Sequence, residues 1–302
     1  MRIICFLVLA LAWAMPAAGQ KVDDQPRTVV MTAFPPEWFA LVGAVAAPVK
    51  HRINGLTLLT GTLEGKPVIL VQSGVSMINA AMTTQLVLDR FTVRRIIFSG
   101  IAGGVDPALD IGDVVVPERW NQYLEVAIAR ETPAGWAPPE RGTEPLPNYG
   151  MLFPRDVMVG NATEPLARHR WFAADPALLA LARSLASTAR LARCTKTVAG
   201  EQCLAHTPKV VVGGSGVSGT AFSDNANYRD YLFRTFHALV LDMESAAVGQ
   251  VAYANSVPFI AFRSLSDLAG GDAGINQMHT FLTLASGNSA SVVRAFVKAL
   301  PE

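Results

Sequence analysis

Three acidic residues in this chain stand where an apolar run ends and a new segment begins. Glu37 follows Pro35-Pro36, just after the run Val29-Val30-Met31. Glu244 lies in Leu241-Asp242-Met243-Glu244-Ser245-Ala246-Ala247, where a strand hands over to a helix. Asp267 closes Phe262-Arg263-Ser264-Leu265-Ser266-Asp267. Singly, each has a plain structural explanation, as a carboxylate in a first helical turn, a helix cap or a loop acid. Together they suit cleavage of a glycosidic bond. That reaction needs a base to activate water, an acid to protonate the leaving group, and negative charge beside an oxocarbenium-like transition state. Arg263 fits a buried ion-pair partner of one of these carboxylates better than a catalyst.

Two glycine-rich segments, Gly100-Ile101-Ala102-Gly103-Gly104 and Gly213-Gly214-Ser215-Gly216, allow a backbone to approach a ligand closely, or simply turn tightly. Neither matches the dinucleotide fingerprint or the phosphate-cradling loop, which needs a lysine followed by Ser or Thr. Histidines are scattered, and no Ser/His/Asp arrangement follows from position. No metal site and no cofactor are expected.

The elements that must position these residues read as alternating β and α segments. Val29-Val30-Met31, Lys66 to Gln72, Arg94 to Ser99, Gly112 to Pro117, Val210-Val211-Val212, Ala238 to Leu241 and Pro258 to Arg263 read as strands. Met77 to Phe91 has helical apolar spacing through Ile78, Ala81, Met82, Leu86 and Leu88. Further helices are expected from Asp175-Pro176 to about Arg193, over Asn225 to Phe236, over Glu244 to Asn255, and over Ser289 to Leu300. Such alternation predicts a three-layer α/β fold, a mixed and mainly parallel central sheet flanked by helices. Ligands of such sheets sit at the carboxyl ends of the strands, where the three acids fall. The stretch from about residue 118 to 207, rich in proline and poor in periodic runs, reads as a long surface excursion of this single domain.

The chain has 302 residues, 51% of them hydrophobic, with 25 Lys+Arg against 24 Asp+Glu. This near-neutral balance gives no electrostatic reason to expect nucleic acid or an anionic membrane as partner. Arg2, the apolar run Ile3 to Met15 and the small residues Pro16-Ala17-Ala18-Gly19 predict an export signal over residues 1–19. A soluble domain of 20–302 would remain, exported to a periplasm or beyond the cell. Cys5 would leave with the signal, and Cys194 and Cys203 would then pair as a disulfide, as an oxidising compartment favours.

The same segments carry a resemblance. Val68 to Val75, Ser99 to Val105, Ile111 to Val116, Ser218-Gly219-Thr220-Ala221-Phe222, Asp242 to Ala247, and Val257 through Asp267 together resemble the nucleoside phosphorylase superfamily, specifically its methylthioadenosine/S-adenosylhomocysteine nucleosidase branch. The resemblance implies that the chain hydrolyses the N-glycosidic bond of a purine nucleoside, with a second copy in a homodimer completing the pocket. It implies that Glu37 activates water and Asp267 protonates the purine at N7. Glu244 would hold the ribose hydroxyls, Met243 would pack on the sugar and Phe222 would stack on the base. Ala102, Gly103 and Ser266 would line the substrate pocket, and Met278 would belong to a lid over the 5′ group.

Hydrolysis is favoured over phosphorolysis because inorganic phosphate calls for cations. In related phosphorylases an arginine stands two residues before the glycine that matches Gly100; here that residue is Phe98. Their glycine-and-arginine loop after the first strand is replaced by Ala33-Phe34-Pro35-Pro36-Glu37. The chain departs from the nucleosidases at Ile101, where they have serine, and at Thr220, where they have aspartate. The segments Gly216 to Gly219, Asp224-Asn225, Tyr228-Arg229-Asp230, Asp242 to Ala247 and Leu265 to Gly271 are also similar to the secreted bark storage proteins. A phosphorylase, or a non-catalytic secreted protein that stores nitrogen or binds nucleobases, are the alternatives.

Overall fold

The computed structural model describes residues 21–140, 144–198 and 200–301. The export signal expected over residues 1–19 lies outside them. Twelve strands form one sheet: β1 (Asp23–Thr32), β2 (Val45–Ile53), β3 (Leu56–Leu63), β4 (Lys66–Gln72), β5 (Phe91–Gly104), β6 (Val114–Val116), β7 (Arg119–Gln122), β8 (Phe172–Ala173), β9 (Val210–Val212), β10 (Ser215–Ser218), β11 (Ala238–Asp242) and β12 (Phe259–Asp267). The helices are α1 (Pro35–Val42), α2 (Met77–Arg90), α3 (Pro176–Ala186), α4 (Ala226–Phe236), α5 (Ser245–Ala254) and α6 (Met278–Ala299).

Successive residues of a strand point to opposite faces of the sheet, so a strand covered on both sides is apolar throughout. The central strands obey this residue by residue. Val29, Met31, Ile69, Val71, Ile96, Phe98 and Ala261 join one core, with Met77, Ala80 and Val87 of α2 and Ala246, Ala247 and Ala252 of α5. Their neighbours Val30, Val68, Leu70, Ile97, Ile260 and Phe262 join the opposite core, with Leu41 of α1, Leu178 of α3 and Val293, Phe296 and Val297 of α6. Two cores on two faces make the three-layer architecture expected from the sequence. Truncating the fully buried Phe296 to alanine costs about 3–5 kcal/mol of stability.

The long strand β5 organises the site. Its first half lies parallel to β1, and β12 runs parallel along its other edge. Near Gly103 and Gly104 it pairs antiparallel with β11. The carboxyl ends of β1, β5 and β12 therefore point one way, and β11 arrives at the same place from the opposite direction.

Several expected elements need correction. The excursion from residue 118 to 207 is joined to the core at both ends. β7 and β8 pair with each other inside the main sheet, Trp120 and Phe172 are buried, and α3 packs on the second core. Large aromatics rather than a periodic run anchor these short strands, which is why periodicity missed them. Between them lie short two-stranded ribbons such as Arg130–Thr132 with Gly135–Ala137. Helix α3 stops at Ala186, short of Arg193. Helix α6 begins at Met278, eleven residues before Ser289, because its middle buries polar Ser286, Asn288 and Ser289 in place of an apolar stripe. Asn288 accepts from the Ala192 N–H, and Ser289 Oγ donates to Phe262 O, so most of that polarity is satisfied internally. In α2 the buried stripe is Met77, Ala80, Thr83, Thr84 and Val87, leaving Ile78 and Met82 exposed. Thr83 and Thr84 donate to the Ser73 and Ala80 carbonyls, and so occupy core positions that apolar spacing had assigned elsewhere. Cys194 and Cys203 are joined, directly opposite each other on the hairpin Cys194–Thr197 and Gly200–Cys203.

Candidate active site

Pro35 and Pro36 start α1 immediately beyond β1, since proline suits the first helical positions. Glu37 thus falls in the first turn, buried, and folds back over the strand ends. Its Oε2 accepts the Ala33 N–H at 2.6 Å and its Oε1 accepts the Ile101 N–H of β5 at 2.8 Å. Burial pushes its carboxyl above the ordinary glutamate range, against the opposing pull of Arg263 and these N–H donors.

At the end of β11, Asp242 caps α5. Its Oδ1 accepts the N–H groups of Glu244 and Ser245, each at 3.1 Å, and the hydroxyl of Ser218. This cap directs Glu244 toward the end of β4, where its Oε1 accepts the Ser76 N–H at 2.8 Å. Ser76 holds a left-handed φ of 92° to present that N–H. Burial pushes the Glu244 carboxyl up to about 8, with Asp242 and Glu37 adding to the rise and Arg263 opposing it.

Arg263, fully buried in β12, lies behind all of these acids. Its Nε donates to Ser245 Oγ at 2.9 Å and stands 2.8 Å from Asp242 Oδ2. Nη1 is 3.8 Å from Glu37 Oε1, Nη2 is 3.6 Å from Glu244 Oε2, and the guanidinium sits 4.0 Å over the Phe98 ring. The ion-pair partner expected from the sequence is thus shared among three carboxylates. Gly100 makes room for this arrangement. A Cβ there would overlap the guanidinium and stand 2.5 Å from Glu37 Oε1.

Asp267 ends β12. Its Oδ1 accepts the Ala269 N–H at 2.9 Å and the Asn276 side-chain amide at 3.3 Å, and its Oδ2 accepts the Ser266 hydroxyl at 2.8 Å. Burial raises this carboxyl as well. Gly103 passes beside it, where a Cβ would crowd Ala269 Cβ at 3.0 Å and Asp267 Oδ1 at 3.2 Å.

One cavity of about 700 Å³, counting its open mouth, is lined by every residue expected from the sequence to act on or bind substrate. Glu37, Glu244, Asp267, Met243, Phe222, Ala102, Gly103, Ser266 and Met278 all border it. Phe222 is exposed at the mouth, and Met278 opens helix α6 there. Sequence reasoning missed Ser76, Val75, Leu241 and the backbone N–H of Ile101. The signal for the first two was the turn Ser73-Gly74-Val75-Ser76, which ends β4 at the same sheet edge. Among the described residues lining the cavity there is no lysine, arginine or histidine. The arrangement offers three buried carboxylates with raised proton affinity around one apolar-walled space. Acid–base chemistry at a sugar linkage asks for such a set.

Comparison with known proteins agrees with this geometry. The family model of the phosphorylase superfamily matches residues 27–298. The 5′-methylthioadenosine/S-adenosylhomocysteine nucleosidase of Baumannia cicadellinicola is 32% identical over 213 residues, 70% of this chain and 73% of its own length. That of Mycobacterium tuberculosis is 26% identical over 272 residues, covering 90% and 96%. The S-adenosylhomocysteine nucleosidase of Streptococcus pyogenes, solved with 5-methylthiotubericidin, is 26% identical with a TM-score of 0.67, covering 93% of this chain and all of that one. The chain belongs to the phosphorylase superfamily, on the branch of the 5′-methylthioadenosine/S-adenosylhomocysteine nucleosidases.

Proposed function

We propose that this protein hydrolyses the N-glycosidic bond of a purine nucleoside of the methylthioadenosine, adenosylhomocysteine or adenosine type, releasing free base and sugar. The observation that carries this reading is the convergence of Glu37, Glu244 and Asp267 on one cavity bordered, among the described residues, by no cationic side chain. Glu37 takes a proton from water as the water oxygen bonds to the anomeric carbon. The bond from that carbon to the purine nitrogen breaks, its electron pair passes into the base, and Asp267 supplies a proton at N7. Glu244 accepts the ribose hydroxyls and favours the positive charge that develops on the sugar. Met243 packs on the sugar, Phe222 on the base, and Ala102, Gly103 and Ser266 form the wall beside it. Met278 covers the 5′ group. Raised proton affinities suit the roles of Asp267 and Glu37, because a general acid must hold its proton and a base must be able to take one near neutral pH.

A dianionic phosphate entering this space would meet Glu37 and no exposed cation, Arg263 being fully buried behind the acids. The test is a panel of nucleosides assayed for free base with and without phosphate. Release in phosphate-free buffer is expected. Release only with phosphate would make the protein a phosphorylase. Binding of adenine without release from any nucleoside would make it the storage or binding protein that the bark storage likeness suggests.

Residues 1–19 would act as an export signal, leaving 20–302 as one domain in the periplasm or outside the cell. The disulfide between Cys194 and Cys203 supports this placement, since such bonds persist in oxidising compartments. A homodimer is supported by Val75, in the turn that borders the cavity just before α2, and by Ile78 and Met82, which expose apolar surface on α2 itself.

A further inference from the structure

The side chain of Asn276 touches three segments that meet at the cavity. Its amide nitrogen donates to Asp267 Oδ1 at 3.3 Å and to Asp224 Oδ1 at 3.1 Å, two residues beyond Phe222. Its carbonyl oxygen accepts the N–H of Met278 at 2.9 Å, where α6 begins. It is the side chain that links the carboxyl group at the end of β12 to the first turn of α6 and to the loop bearing the exposed aromatic. Neither of its neighbours can replace it. Ile275 is apolar and exposed, and the Gln277 amide turns back to the Ile275 carbonyl.

The pattern of donors at Asp267 has a chemical consequence. Oδ1 already accepts two N–H groups, from Ala269 and from Asn276, and these occupy its lone pairs. Oδ2 accepts one hydroxyl, from Ser266, and keeps a free site. An acid proton therefore resides on Oδ2, since a proton on Oδ1 would displace an N–H donor and leave it buried without a partner. With Oδ1 pinned, the carboxyl group cannot rotate to exchange its oxygens.

We propose that Asn276 is a positioning residue for the leaving-group acid, fixing the proton of Asp267 on Oδ2 and tying that orientation to the seating of the Met278 turn over the cavity. This inference rests on the assignment of Asp267 as the acid. When Asn276 is lost, the Ala269 N–H is the remaining donor on Oδ1, the carboxyl group is held less firmly with its protonated oxygen toward the base, and the lid turn loses its tie to the acid. The effect falls on protonation of the leaving group and not on attack by water.

The test compares two leaving groups in the full-length protein. A purine nucleoside needs its base protonated on departure; a 4-nitrophenyl riboside departs as a stabilised phenolate. Asn276→Ser shortens the side chain below the reach of Asp267 while keeping an oxygen to cap α6, and Asn276→Asp keeps the cap oxygen and removes the donor. Both variants should lower kcat for the purine nucleoside by about 10- to 100-fold with KM little changed. Turnover of the 4-nitrophenyl riboside should stay within about 2-fold of wild type. Equal losses on both substrates would reduce Asn276 to a structural residue and overturn the proposal, as would an unchanged kcat on the purine substrate. Asp267→Asn separates this failure from that of the underlying assignment. If Asp267→Asn loses purine turnover and keeps the aryl riboside while the Asn276 variants do not, only the positioning role falls. If Asp267→Asn keeps both, the acid assignment itself falls.

Discussion

The guanidinium of Arg263 and the carboxylate of Glu37 lie 3.8 Å apart above Gly100, in space that any side chain at residue 100 would fill. The glycine is thus a condition for the acid cluster. Gly100→Ala pushes on the buried ends of two charged side chains, which costs about 1–3 kcal/mol of stability. Displacing Glu37 by a fraction of an ångström to an ångström lowers turnover by up to about 100-fold. Thermal unfolding and kcat, measured on the same preparation, check both. Wild-type values for the two would show that the arginine has another place to go.

Arg263 is the cation facing Asp242, Glu37 and Glu244 at once. Arg263→Met removes it and leaves buried carboxylates uncompensated, with a loss of about 3–5 kcal/mol in denaturant unfolding. Lysine, with one point charge, cannot span the same set, so Arg263→Lys recovers only part of that loss.

Much of this cluster was legible in the sequence, and some was not. Glu37 and Asp267 each follow an apolar run that must be a buried strand, and the carboxyl ends of parallel strands share an edge. Glu244 also follows such a run, but β11 is antiparallel to β5, and its arrival at the same place rests on that pairing, which no local pattern announces. The resemblance added the roles of the three acids. The Ser76 N–H that meets Glu244 comes from 168 residues away and depends on a left-handed backbone at a serine, which no local propensity announces. Arg263 read as a partner for one acid, because its reach across three is set by the pairing of β12 with β5. Helix α6 was half missed because Ser286, Asn288 and Ser289 are buried where the helical stripe should be apolar.

Glu244 makes stability depend on pH. Its folded-state carboxyl is raised from 4.5 to about 8. The contribution to folding is therefore fully present below the ordinary value and is lost as pH rises through about 8. Urea unfolding between about pH 5 and about pH 9 should show wild-type stability falling, with a shallower fall in Glu244→Gln. Glu37 and Asp267 shift in the same direction and keep the variant's profile from becoming flat. Parallel profiles for the two proteins would contradict the assignment.

Phe222 is largely exposed at the cavity mouth, so its removal costs the fold little. Phe222→Ala should raise KM by about 3- to 10-fold through lost stacking on the base, with kcat near wild type. A drop in kcat at unchanged KM would mean that the ring acts only in the transition state.

The disulfide closes a loop of nine positions on a hairpin away from the cavity lining. Replacing Cys194 and Cys203 by serine should lower stability by about 2–3 kcal/mol and leave turnover within about 2-fold. Loss of turnover with retained stability would show that the hairpin, which packs near α6, controls the lid.

Everything proposed here turns on Glu37 as the group that activates water beside a sugar–purine bond. The most direct test is base release by Glu37→Gln in phosphate-free buffer, alongside calorimetric binding of the same nucleoside. Turnover should fall by about 100- to 10,000-fold, with the dissociation constant within a few-fold of wild type. Undiminished turnover in Glu37→Gln would remove Glu37 from the role of base.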